Sequence, residues 1–201
     1  MVQESFERGS ESHRACDFIC EEIDRLNGII ASLLNFARPA TPRLTRIDAA
    51  SVLDRALSLE SGDLERRDIA IRRELRDPPS FLADPDLVAQ VFLGLLINAA
   101  EAVQAHGTIE VRAEAGEDSA CFEFADTGPG ISREEAARIF EPFYTTKATG
   151  TGLGLAMTAR IVDAHGGRIR VLHGKGAGPD GRGACFRVEL PLAGPQVEVA
   201  A

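Results

Sequence analysis

Residues 85–104, PDLVAQVFLGLLINAAEAVQ, are the most apolar stretch of the chain, and they constrain the fold more than any other segment. Asp84 suits a helix N-cap and Pro85 the first helical position, so a helix starts here. A helix apolar on most of its sides needs neighbours on most of its sides, which predicts a buried central element. Its apolar run is broken at Gly94 and Asn98 and falls short of the roughly 20 residues a membrane-spanning helix needs. At helical spacing Asn98 shares a face with Val91, Gly94 and Leu95. A buried amide is costly unless satisfied. Asn98 either bonds locally at a partly exposed position or aims its oxygen into a cleft, towards a metal ion or phosphate-bound water.

The flanking segments supply partners for that helix. Upstream, Ile19, Ile23, Leu26, Ile30, Leu33 and Ala37 recur at spacings of four and three, the coiled-coil period, and Pro39 and Pro42 end the helix. Such a face needs a partner helix, from this chain or a second copy. Asp48 caps a further helix carrying Val52, Leu53, Ala56 and Leu57. Ile69, Ile71 and Leu75 alternate as in a strand, and Phe81-Leu82 form a short one. After Gly107 the period is two: Ile109, Val111 and Ala113, then Cys121, Phe122 and Phe124, read as an antiparallel pair. A short helix starts at Ser132, a helix runs from about Leu153 to Ala164, and strands at Arg168–Leu172 and Ala184–Leu190 flank a glycine-rich loop. Mixed strands with helices on one face predict an α+β sandwich.

Composition narrows the function classes. With 31 acidic and 22 basic residues the net charge is −9, which argues against a nucleic-acid-binding surface. A hydrophobic share of 44% excludes wholesale disorder. The four cysteines, Cys16, Cys20, Cys121 and Cys185, are too few for a secreted disulfide framework and fit a reducing, cytoplasmic setting. Cys16 and Cys20 have only His13 as a neighbouring ligand and read as small helix residues. His106, His165 and His173 read as turn or surface residues.

Three further motifs carry chemistry. DTGPGI, Asp126–Ile131, ends a strand in a tight glycine turn, where a carboxylate can accept from a planar amine while bare backbone lies close by. GTGLGLA, Gly150–Ala156, leads glycines directly into a helix, whose first N–H groups can cradle phosphate. It lacks the lysine-hydroxyl pair of a P-loop. IFEPFYTTK, Ile139–Lys147, offers Phe140, Phe143 and Tyr144 as anchors for a mobile loop and Lys147 as a charge for phosphate.

Asn98, DTGPGI, FEPFYTT and GTGLGLA, in that order, resemble the ATP-binding domain of sensor histidine kinases, within the superfamily shared with gyrase, Hsp90 and MutL. The segment EEIDRLNGIIASLLNFARP resembles the second helix of the dimerisation and phosphotransfer hairpin of nitrogen-regulation-type kinases. The resemblance implies a two-layer α/β sandwich of the Bergerat type over residues 47–192. It is preceded by a start at 1–14 and a partial hairpin helix and linker at 15–46, and followed by a tail at 193–201. It implies ATP and Mg²⁺ as ligands, with Asn98 holding Mg²⁺ and Asp126 accepting from the adenine amino group. Gly128 and Gly130 would allow close approach, and Phe140 and Phe143 would seat a lid. Lys147, Gly150, Thr151, Gly152, Leu153 and Gly154 would meet the phosphates. The implied partners are a response regulator or a separate phosphotransfer hairpin, with a homodimer through the N-terminal helix.

Three departures qualify what the family pattern implies. Gly94 stands where related proteins carry a second Asn, or the glutamate base of ATP hydrolysis. Ala184 or Cys185 stands where a threonine often lies near adenine. No phosphoacceptor box, a His followed by an acid and Asn-Pro, is present; its expected place precedes residue 1, and His13, followed by Arg14 and Ala15, does not fit it. Two alternatives follow: a nucleotide-binding regulatory module without transfer activity, and an anti-sigma-type serine kinase.

Overall fold

The computed structural model describes residues 14–20, 22, 23, 26, 30, 33, 34, 41–76, 80–147, 150–178 and 181–195. The expectations placed on His13, Ala37 and the end of the tail lie outside them. The described residues between 14 and 34 are helical, and Ile19, Ile23, Leu26, Ile30 and Leu33 are exposed along them.

Local signals set the elements that follow. Strand β1 (Thr45–Asp48) runs into helix α1 (Ala49–Arg66), where the Asp48 carboxylate accepts from Ser51 N–H at 2.9 Å. Strands β2 (Ala70–Arg76) and β3 (Ser80–Ala83) precede helix α2 (Pro85–Val103), capped by Asp84 with Pro85 in its first turn. Strands β4 (Thr108–Ala115) and β5 (Ser119–Asp126) form a hairpin in which Ile109 faces Asp126. The short helix α3 (Arg133–Ala136) starts in a capping box between Ser132 and Glu135. Helix α4 (Gly154–Ala164), strand β6 (Arg168–Val171) and strand β7 (Cys185–Pro191) complete the order.

The main sheet runs β2-β4-β5-β7-β6. Among the described residues only β2 and β4 pair in parallel, and their crossover passes through α2. Helix α2 packs between α1 and α4 on one face of this sheet. The two-layer α+β sandwich expected from the pattern is what forms. Inward side chains alternate along β4 (Ile109, Val111, Ala113), β5 (Ala120, Phe122, Phe124) and β7 (Phe186, Val188, Leu190), all buried. Phe92 of α2 sits 4.7 Å from the ring of Phe122 and 5.4 Å from that of Phe124. The opposite face carries a charge ladder. Arg112 bridges Glu74, Glu110 and Glu123, and Arg187 reaches Glu123 at 2.9 Å.

Strands β1 and β3 stand apart from the main sheet and pair with each other, Thr45 against Ala83. Three expectations change. Cys121 is not part of the inward stripe, because period two from Phe122 places Ala120 inside and Cys121 outward. His165 lies in the turn after α4, as expected, but not at the surface. It is buried, its Nδ1 2.7 Å from the Ile161 carbonyl and its Nε2 accepting from Asp84 N–H at 3.1 Å, so it ties the end of α4 to the cap of α2. Finally, α2 has, at 19 residues, the length and apolarity of a membrane span. Its burial between the sheet and two helices accounts for that composition.

Candidate functional site

Beside α2 lies a cleft of roughly 700 Å³, within the usual range for small-molecule sites. It opens between the end of β5, the exposed side of α2, the 139–147 segment and the start of α4.

Asp126 forms its floor. The residue is fully buried at the end of β5. Its Oδ1 accepts from Gly128 N–H at 2.8 Å and Ala184 N–H at 3.1 Å. Its Oδ2 is buried without a hydrogen-bond partner among the described residues. Burial raises the carboxyl above its usual range; the two backbone donors and the Lys147 charge oppose this. A buried acceptor left open in this way is costly unless a ligand donor meets it.

Two glycine segments press the backbone onto Asp126. At Gly128 a Cβ would stand 2.9 Å from Asp126 Oδ1 and 3.0 Å from the Ala102 carbonyl oxygen. Gly183, at φ +99°, comes so near that a Cβ would lie 1.7 Å from the Asp126 carbonyl oxygen. Ala177 N–H also donates to that carbonyl at 2.8 Å. The loop before β7 therefore packs against the Asp126 backbone, and Ala184 at its end lines the cleft. Its glycine spacing, GKGAGPDGRGA, is the sequence signal for this close packing. Of the two residues considered for the threonine place, Ala184 faces the cleft and Cys185 is buried behind it. Burial pushes the Cys185 thiol up to about 12, so it is inert.

Helix α2 contributes Asn98, half-buried on the cleft wall with Gly94, Ile97 and Glu101; Val91 and Leu95, expected on the same face, point into the core. Lys147 crosses the cleft to this wall. Its Nζ donates to Asn98 Oδ1 at 2.9 Å and to Glu101 Oε2 at 2.5 Å. Glu101 is a site residue that sequence reading did not single out. At Gly94 a Cβ would meet Thr158 Oγ1 at 3.1 Å, so the close approach of α2 and α4 uses the missing side chain. Among the described residues no group of three or more His, Cys, Asp or Glu side chains is arranged to hold a metal. On the α2 wall, Asn98 and Glu101 present side-chain oxygens of the kind a cation takes.

The GTGLGLA segment forms the far wall. Gly150, Thr151, Gly152 and Gly154 line the cleft, and among the described residues no side chain caps the start of α4. Its first N–H groups thus remain available to an anion, with the helix dipole behind them. Leu153 is buried and its side chain packs inward. Gly152, at φ +67°, is pinned to the 139–147 segment by Phe143 N–H donating to its carbonyl at 3.0 Å.

The two phenylalanines behave differently. Phe140 packs edge-on against Phe186 at 6.4 Å and anchors the segment. The Phe143 ring is 65% exposed. Phe143 holds the loop through its backbone N–H on Gly152. Gly130 lines the cleft, while Gly128, Phe140, Phe143 and Leu153 support it from behind.

The family model for histidine kinase-, DNA gyrase B-, and HSP90-like ATPases matches residues 83–194. The sensor histidine kinase ZraS of Escherichia coli (strain K12) is 37% identical over 185 residues, which are 92% of this chain and 39% of ZraS. The chain thus spans about two fifths of the length of such curated relatives. The crystal structure of full-length ShkA in complex with AMPPNP superposes with a TM-score of 0.77 at 29% identity, covering 98% of this chain and 42% of that one. The catalytic domain of the histidine kinase ThkA gives a TM-score of 0.67 at 28% identity, covering 75% of this chain and 97% of that domain.

Proposed function

The chain belongs to the histidine kinase-, DNA gyrase B-, and HSP90-like ATPase family, and from that premise we propose that it is the ATP-binding catalytic portion of a two-component sensor histidine kinase. The observation that carries this reading is the partnerless buried Oδ2 of Asp126 at one end of a cleft whose other end is an uncapped helix start. Adenine places its exocyclic amino group on Oδ2, with Gly128 and Gly130 admitting the ring. The triphosphate runs towards Gly150, Thr151, Gly152 and Gly154 at the start of α4, with Lys147 at hand.

Mg²⁺ fits the wall of α2, where Asn98 offers an amide oxygen; bound there it would neutralise phosphate charge. In the transfer step the bond from the γ-phosphorus to its bridging oxygen breaks and ADP leaves. A bond forms to a histidine nitrogen supplied by a phosphotransfer hairpin. Such transfer relies on positioning and charge neutralisation more than on covalent help from the protein. Gly94 supplies no base to activate water, which favours transfer over hydrolysis.

The domain spans residues 47–192 in this reading and works on the cytoplasmic side, where ATP is available. The exposed stripe Ile19, Ile23, Leu26, Ile30 and Leu33 pairs with a second copy. A response regulator takes the phosphoryl group onward.

The test is incubation with γ-labelled ATP and a separately made histidine-bearing hairpin. Label on the hairpin that survives alkali and is lost in acid supports the kinase. Nucleotide binding without transfer to any hairpin would instead make the chain a regulatory binding module.

A further inference from the structure

Lys147 sits in an unusual place for a residue expected to meet phosphate. Its ammonium lies against the wall of α2, and the oxygens of Asn98 and Glu101 are both within 2.9 Å of its nitrogen. Those two residues are three apart on one helix, so their side chains share a face. The pair has the chemistry of a Mg²⁺ site: neutral and anionic oxygens from protein, with the remaining positions left to water and phosphate. Glu60 of α1 adds negative charge nearby; burial, then Asp63, and further down Glu101 raise its carboxyl, while Arg67 opposes. Gly94, one turn before Asn98, contributes no oxygen.

We infer that Asn98 and Glu101 together form the cation seat of the cleft, and that Lys147 occupies this seat until a metal-bound nucleotide displaces it towards the phosphates. This rests on the nucleotide reading above and adds two things to it. Glu101 supplies the second oxygen that Gly94 cannot. Lysine and Mg²⁺ compete for one site, so metal-free nucleotide meets a wall that is already neutralised, whereas the metal complex must exchange one cation for another.

The competition gives opposite signs for the two partners. Glu101→Gln removes an anionic ligand and also removes repulsion towards bare phosphate. Lys147→Met removes the competing cation and also a phosphate partner for metal-free nucleotide. The quantity to measure is the ratio of AMPPNP affinities with and without Mg²⁺, by calorimetry on the full chain, with Mn²⁺ paramagnetic resonance as a second readout of the metal itself. Glu101→Gln should lower that ratio by about tenfold, the scale of losing a metal-orienting partner. Lys147→Met should raise it. Both side chains are partly exposed, so neither change threatens the fold, and thermal melting checks this. An ordinary surface ion pair would move both variants in the same direction or neither, and either result overturns the inference. Silence from the wild-type chain with and without Mg²⁺ would overturn the nucleotide reading itself, and this inference with it.

Discussion

Replacing Asp126 with Asn separates the cost of the site from its use. In the folded chain Oδ1 already holds two backbone donors, and an Asn oxygen can keep both. The change falls on the second atom, where a partnerless buried carboxylate oxygen becomes an amide NH₂. For stability the sign follows from the raised carboxyl. Below the unfolded-state value both states are protonated and nothing is lost. As pH rises towards the folded-state value the unfolded chain gives up its proton first, so stability falls, and above it the penalty is constant. At neutral pH the variant escapes that penalty. A gain on the order of 1 kcal/mol is expected, since an unpaired charge costs more than an unpaired amide. In a chain of this size that is a melting temperature higher by about 2–4 °C. For binding the sign reverses, because an NH₂ facing the adenine amino group sets donor against donor. Losing a hydrogen bond to a charged acceptor costs roughly 1.5–3 kcal/mol, or about 10- to 150-fold in affinity. Melting at several pH values and titration with AMPPNP read the two effects independently. A variant that melts higher yet binds as well as wild type would refute the placement of adenine. One that binds weakly but melts lower, with unaltered pH dependence, would show that Oδ2 bears a structural load.

Other consequences of the geometry are equally direct. Gly183→Ala sets a methyl group against the Asp126 carbonyl at a positive φ and should cost at least about 2 kcal/mol in urea denaturation; a neutral result would detach the Gly174–Gly183 loop from the floor of the cleft. His165→Ala strands the Asp84 N–H and leaves a cavity, for roughly 2–4 kcal/mol, whereas a surface histidine would change stability by less than about 0.5 kcal/mol. Gly94→Asn crowds Thr158 and should destabilise by about 1 kcal/mol, with Thr158→Ala recovering part of the loss in the double variant. Asn98→Ala should leave melting nearly unchanged while abolishing the Mg²⁺ dependence of AMPPNP affinity.

What could be read from the sequence, and what could not, divides by the range of the interaction. The caps at Asp48 and Asp84, the helix start at Ser132 and the period-two stripe of β4 are all decided within a few residues, and each appears where expected. The contacts that were missed join distant positions. Asp84 and His165 are 81 residues apart, Asn98 and Lys147 are 49 apart, and β1 finds β3 across the whole of α1 and β2. No periodicity reports such pairings, because they depend on where packing carries each end. Phe140 and Phe143 show the limit most clearly. Both are aromatic, three residues apart, in a segment where either ring could serve as the anchor. The choice is made by Gly152, whose missing Cβ lets the Phe143 backbone come within 2.4 Å of where that atom would stand. To place its N–H on the Gly152 carbonyl, Phe143 takes φ +67°, a conformation that favours glycine. That turn leaves its ring in solvent, and the packing against Phe186 falls to Phe140. The glycine that reads as a phosphate neighbour is thus also the residue that fixes how the facing segment is held.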